Sequence, residues 1–186
     1  MLEMNDIRIG TLVKLNDQPY ICLWSDFMRT AQRKPVRRTK LKNLITGNVL
    51  EQTFKPGDKV EEADVERAKA SFLYADDRQV FFMDSQNYDQ LALDREPIQP
   101  RLDFLKAGQE YTVVTFEGRP ITLELPKKVE LKVTATAEGV RGDTAQGSVM
   151  KEATVETGYT LKVPLFIKQG DAIRINTETG DYVERA

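Results

Sequence analysis

The sequence predicts an all-β chain built as three small β-barrels. Apolar residues come in short runs rather than long periodic stretches. Turn formers separate those runs at the roughly 8–12-residue spacing of small barrels. The strand segments also fall into three groups of similar size, 1–64, 65–126 and 127–186, with no clean sequence repeat among them.

In the first group, Leu12 and Tyr20-Ile21-Cys22-Leu23 flank Asn16-Asp17, a turn signal at hairpin spacing. Residues 39–44 read as a strand, with Leu41 expected on one face and Thr39 and Asn43 on the other. Thr46-Gly47-Asn48 is a turn, residues 49–54 return as a strand, and Lys55-Pro56-Gly57-Asp58 breaks the pattern. The second group has strands at 65–74, 80–83 and 89–93, then a short helix expected at 101–106 and stopped by Gly108. A hairpin follows, 111–116 and 121–125 around Glu117-Gly118-Arg119-Pro120, and Pro126-Lys127-Lys128 reads as a linker. The third group has strands at 129–136, 153–156, 160–163, 172–176 and 182–183, with a long glycine-bearing loop at 138–150.

Composition excludes several chemistries. The 186 residues contain no histidine and one cysteine, Cys22. Imidazole-based triads and dyads are therefore out, and a zinc site has neither of its usual ligands in number. No intrachain disulfide is possible, which agrees with a reducing compartment. Apolar runs reach only about five or six residues, against roughly 20 for a bilayer span. The start of the chain lacks the basic-then-apolar order of a signal peptide. The expectation is a cytoplasmic, monomeric protein without membrane contact, cofactor or metal.

The net charge of −2 hides an uneven distribution. No acidic residue lies between Phe27 and Leu50, and residues 29–42 hold seven basic ones: Arg29, Arg33, Lys34, Arg37, Arg38, Lys40 and Lys42. The rest of the chain is acidic, so a polyanion partner is favoured over a merely solvated face. Residues 28–36 read as a hairpin tip projecting between strands that end near Trp24 and resume near Arg37, because Pro35 cannot donate to a ladder. Its long polar side chains suit a crowded RNA site.

Other candidates have plainer explanations. Asp76-Asp77 and Glu61-Glu62 are paired carboxylates best read as turns and solvated faces. Asp143-Thr144 either contacts RNA or closes its own loop as an Asx turn. Lys151 meets phosphate or solvent, and Tyr182 packs in a strand or meets RNA. Cys22 is expected in the core, and Trp24 and Phe27 at the base of the hairpin.

The chain resembles the bacterial elongation factor P family from end to end. The resemblance is carried by Asp6-Ile7-Arg8-Ile9-Gly10, Gln18-Pro19-Tyr20, Arg38-Thr39-Lys40-Leu41-Lys42-Asn43-Leu44 with Thr46-Gly47, Phe72-Leu73-Tyr74, and Phe82-Met83-Asp84. In the last third it is carried by Gly139-Val140-Arg141-Gly142-Asp143-Thr144-Ala145, Thr157-Gly158, Val163-Pro164-Leu165-Phe166-Ile167, Gly170-Asp171 and Thr179-Gly180-Asp181-Tyr182-Val183. It implies an SH3-like (KOW-type) barrel followed by two OB-folds in an L-shaped, tRNA-like molecule. It further implies a non-enzymatic translation factor that binds both ribosomal subunits between the P and E sites and promotes peptide-bond formation at stalled polyproline sequences. The tip, Arg29, Thr30, Ala31, Gln32, Arg33, Lys34 and Pro35, would approach the P-site peptidyl-tRNA. Arg37, Arg38, Lys40 and Lys42 would form the basic RNA-binding surface. Arg141, Gly142, Asp143, Thr144, Ala145 and Lys151 would face the small subunit and the E-site mRNA codon.

The tip departs from the family pattern. Most relatives carry Pro-Gly-Lys-Gly, or an Arg version, and that Lys or Arg is often covalently extended. Here Gln32 holds the position without a gap, between Ala31 and Arg33. Glutamine has no nucleophilic amine. Either the tip works unmodified, the favoured reading, or Arg33 or Lys34 takes over. The unusual tip also supports a rival: an RNA-binding OB-fold paralogue acting away from the peptidyl-transferase centre.

Overall fold

The computed structural model describes residues 1–29, 34–137 and 150–186. It is nearly all β, with three antiparallel sheets and one short helix. The first sheet has six strands: β1 (Leu2–Glu3), β2 (Leu12–Leu15), β3 (Gln18–Met28), β4 (Val36–Asn43), β5 (Val49–Phe54) and β6 (Lys59–Glu62), in the order β1-β6-β2-β3-β4-β5. Its core holds Ile7, Val13, Cys22, Leu41 and Phe54. Asn16 and Asp17 join β2 to β3 with both residues at positive φ, the mirror-image turn that matches strand twist.

The second sheet runs β11-β10-β7-β8-β9, with β7 (Val65–Ala75), β8 (Gln79–Asp84), β9 (Gln90–Asp94), β10 (Glu110–Phe116) and β11 (Arg119–Glu124). The third runs β14-β13-β12-β15-β16, with β12 (Lys128–Thr136), β13 (Met150–Val155), β14 (Thr160–Pro164), β15 (Ala172–Asn176) and β16 (Tyr182–Arg185). In each, the two edge strands, β9 with β11 and β14 with β16, approach each other without a ladder between them, so the sheet curls toward a barrel.

The helix α1 spans Arg95–Leu102, not the expected 101–106. Its start carries Pro97, where the missing N–H is unneeded, and Ile98 is its buried anchor. Beyond Leu102 the chain tightens into i→i+3 turns, with Phe104 and Leu105 N–H groups donating to Arg101 and Leu102 carbonyls at 3.1 Å. Leu102, Phe104 and Leu105 look like one helical face in sequence, but they serve two cores. Leu102 and Leu105 pack into the second, whereas Phe104 enters the third and meets Tyr159 edge-on at 5.2 Å.

This shared segment ties the second unit to the third. Thr157 Oγ1 donates to the Asp103 carbonyl at 2.6 Å, and Lys106 pairs with Glu156 at 3.0 Å. Burial pushes the Glu156 carboxyl up, but the Lys132 N–H and Lys106 outweigh it and hold the group below the usual range. The first and second units meet at Lys14, whose ammonium lies 2.6 Å from Glu117, within 4 Å of Asp17 and Glu61, and over the Phe116 ring. The hydrogen bond that Lys14 donates to Glu117 is the chief cause of its raised pKa.

A repeat that the sequence conceals appears in three hairpin turns. In 43–48, 84–89 and 176–181, the first side-chain oxygen (Asn43, Asp84, Asn176) accepts the N–H groups two and three residues on. The fifth N–H returns to the first carbonyl, and the sixth donates to the fourth side chain. The fifth residue sits at positive φ: Gly47 at 77°, Tyr88 at 63° and Gly180 at 77°. Glycine tolerates that geometry, but an exposed tyrosine is strained there. Tyr88→Gly is therefore expected to stabilise the protein by about 0.5–1 kcal/mol, the relieved strain exceeding the added unfolded-state entropy. A denaturant midpoint that falls in this variant would contradict the reading.

Candidate nucleic-acid interface

The basic segment forms the long hairpin of β3 and β4, flanked by β5. The first arm runs further than expected, to Met28, and the second starts at Val36, as expected near Arg37. Strand period puts Arg37, Thr39, Leu41 and Asn43 on one row and Val36, Arg38, Lys40 and Lys42 on the other. Thr39, Leu41 and Asn43 are all buried, so the expected opposition of Leu41 to Thr39 and Asn43 is wrong: all three face the core. Thr39 and Asn43 are tolerated there because Thr39 Oγ1 donates to the Gln52 carbonyl at 3.0 Å and Asn43 Nδ2 donates to Gln18 Oε1 at 2.7 Å.

Arg37 stands apart from the other residues of the expected basic surface. It lies on the inward row, beyond the end of the core, and is half-buried. Its Nη1 donates to Ser25 Oγ at 2.8 Å, Ser25 Oγ donates to the Ile7 carbonyl at 2.9 Å, and the guanidinium covers the Phe27 ring at 5.5 Å. Arg37 Nε is buried without a hydrogen-bond partner among the described residues. The guanidinium thus braces both hairpin arms against the loop that carries Ile7. Phe27 packs at the hairpin base as expected, though 45% exposed.

Arg38, Lys40 and Lys42 do face outward. Their cross-strand neighbours are mixed: Asp26 and Thr53 flank Arg38, Trp24 and Glu51 flank Lys40, and Ile21 and Val49 flank Lys42. Lys40 pairs with Glu51 at 3.6 Å, whereas Arg38 has no carboxylate partner within ion-pair distance among the described residues. The acid-free run in sequence is therefore diluted in space by Asp26 and Glu51 from the adjoining strands. Toward the tip, Arg29 and Lys34 are exposed and Pro35 is half-buried. Thr30, Ala31, Gln32 and Arg33 lie outside the described residues.

Trp24 is displaced outward by a bulge between Cys22 and Trp24 and is 42% exposed. With Arg38, Lys40, Glu51, Gln52 and Thr53 it lines an open groove of about 750 Å³. Hydropathy alone hides this groove, since its walls come from three strands. Cys22 is buried as expected, and burial pushes its thiol pKa up.

In the third unit, Arg141, Gly142, Asp143, Thr144 and Ala145 lie outside the described residues. Lys151 is half-buried on β13, opposite Val163. Tyr182 packs against the third core. Asp76 closes its turn by accepting the Arg78 and Gln79 N–H groups at 2.8 and 2.7 Å, the plain role expected of it. Among the described residues, no cluster of Cys, Asp and Glu is arranged to hold a metal ion, and no helix is long and apolar enough to cross a membrane.

The three sheets coincide with three family matches. Residues 3–60 match the elongation factor P KOW-like domain, 65–123 its OB domain and 129–185 its C-terminal domain. The chain belongs to the elongation factor P family. It is similar to elongation factor P of Moorella thermoacetica, at 41% identity over the whole of both chains. The family places it among translation elongation factors and establishes a KOW-like barrel and an OB barrel as its first two parts. Among solved structures it is similar to initiation factor 5A from Methanococcus jannaschii, with a TM-score of 0.54 and 19% identity over 66% of this chain and 90% of that one. That likeness concerns the fold alone. A family protein of the same factor from Naegleria fowleri aligns with a TM-score of 0.48 and 16% identity, over 67% of this chain and 96% of that one.

Proposed function

We propose that this elongation factor binds the ribosome between the P and E sites and speeds peptide-bond formation at consecutive prolines by positioning the P-site tRNA. The carrying observation is the long β3–β4 hairpin with outward Arg38 and exposed Arg29 and Lys34, braced just below its tip by Arg37. A rigid cationic arm restricts a bound RNA end, and holding reactants in near-attack geometry lowers a barrier without chemistry by the protein. The factor is accordingly non-enzymatic, cytoplasmic and monomeric, and the ribosome does the chemistry. The three-unit division 1–64, 65–126 and 127–186 and the L shape belong to this reading. So do the contacts of Arg141, Gly142, Asp143, Thr144, Ala145 and Lys151 with the small subunit and the E-site codon. The tip acts with Gln32 unmodified, Arg33 and Lys34 supplying reach.

Ribosome binding tests the surface. Affinity is expected to fall steeply with salt, and Arg38→Ala to reduce the log–log slope by about one, the signature of one lost phosphate contact. Arg37→Ala is expected to leave the slope unchanged, because its guanidinium is already committed to Ser25 and Phe27. Equal slopes for wild type and Arg38→Ala would remove Arg38 from the RNA surface.

A further inference from the structure

We propose that Trp24 and Arg38 form a subsite for one unpaired RNA nucleotide, its base stacked on the indole and its phosphate held by the guanidinium. The inference rests on the RNA-binding reading above and narrows it from phosphate attraction to a base contact. The bulge between Cys22 and Trp24 sends these two side chains to different sides: Cys22 is fully buried, Trp24 open to solvent. Across the hairpin, Trp24 stands opposite Lys40 and one row from Arg38.

The charges around the indole select the occupant. Lys40 lies 3.6 Å from Glu51, whereas Arg38, with Asp26 across from it on β3, has no carboxylate within ion-pair distance among the described residues. An open aromatic face beside an unpaired guanidinium complements a base and its phosphate. An apolar protein segment would instead leave Arg38 desolvated without an anion. The groove also presents the Gln52 amide and the Thr53 hydroxyl, which supply donors and acceptors to a base edge. A paired A-form helix cannot use this subsite, since its bases are stacked on one another and their faces are closed. The ligand is therefore a nucleotide in a loop or at an end.

The single tryptophan of the chain makes the test direct. Purified tRNA, which carries unpaired loop and acceptor-end bases, is expected to quench the Trp24 fluorescence saturably, whereas a blunt-ended RNA duplex leaves it unchanged. Trp24→Ala is expected to weaken tRNA binding about tenfold, as loss of one stacked base does. Trp24→Phe keeps an aromatic face and is expected to stay within about threefold of wild type. Absent quenching by tRNA, equal quenching by the duplex, or unchanged affinity of Trp24→Ala would each overturn the subsite. If that variant also binds P-site-occupied ribosomes and relieves stalls normally, the ribosomal reading survives without the subsite. A wild-type protein that binds neither tRNA nor those ribosomes overturns both.

Discussion

Arg37→Ala is expected to remove most stall-relieving activity while the protein stays folded. The guanidinium joins three pieces of chain: its own strand, Ser25 and Phe27 on β3, and, through Ser25, the carbonyl of Ile7. The hydrogen bond and the cation–π contact are together worth about 1–2 kcal/mol, a tolerable loss for a domain with its own core. The functional loss is larger because the hairpin is a lever. A displacement of about 1 Å at the reacting end is enough to cost on the order of a hundredfold in rate. Arg37→Lys is expected not to rescue, since an ammonium does not lie flat on Phe27 while donating to Ser25. The distinguishing pattern is low Pro-Pro synthesis with an unchanged salt slope for ribosome binding. A variant that loses slope and affinity but keeps its activity when bound would make Arg37 an RNA contact after all.

Asn43→Ala is expected to lower stability by about 2–3 kcal/mol, the largest single-residue cost foreseen in the first unit. The side chain is 3% exposed and makes three hydrogen bonds, accepting from the Ile45 and Thr46 N–H groups and donating to Gln18. Alanine leaves all three partners to find water in a partly closed turn. Asn43→Asp keeps both acceptor contacts, as Asp84 does in the equivalent turn of the second unit, and is expected to lose roughly half as much. Thermal melts of the two variants check this ranking; equal losses would show that the acceptor role is minor.

Most of the strands were legible because each hairpin is local and its turn residues have one job. Asn16, Asp17 and Gly118 adopt the positive φ that their types allow. What was not legible depends on partners distant in sequence. The first hairpin arm looked shorter because Ser25 and Phe27 do not read as core, yet both pack with Arg37 past its end. The helix was misplaced because Phe104 belongs to the third core. The common turn escaped notice because it conserves hydrogen-bond roles, with Tyr88 standing where Gly47 and Gly180 stand. In the candidate interface, the basic run was plain, but its register was not. Only pairing with β3 and β5 turns Arg37 inward and sets Asp26, Glu51 and Trp24 beside Arg38 and Lys40.

The central claim is that a braced, unmodified hairpin relieves stalling by position alone. It is tested most directly by the rate of Pro-Pro tripeptide synthesis on cognate ribosomes, using protein whose intact mass equals that of the bare sequence. Acceleration of about tenfold or more over ribosomes without the factor is predicted, equivalent to about 1.4 kcal/mol of barrier, with little change for a readily formed bond such as Phe-Phe. No acceleration by the adduct-free protein, together with activity of native protein carrying a mass adduct on Arg33 or Lys34, would contradict it.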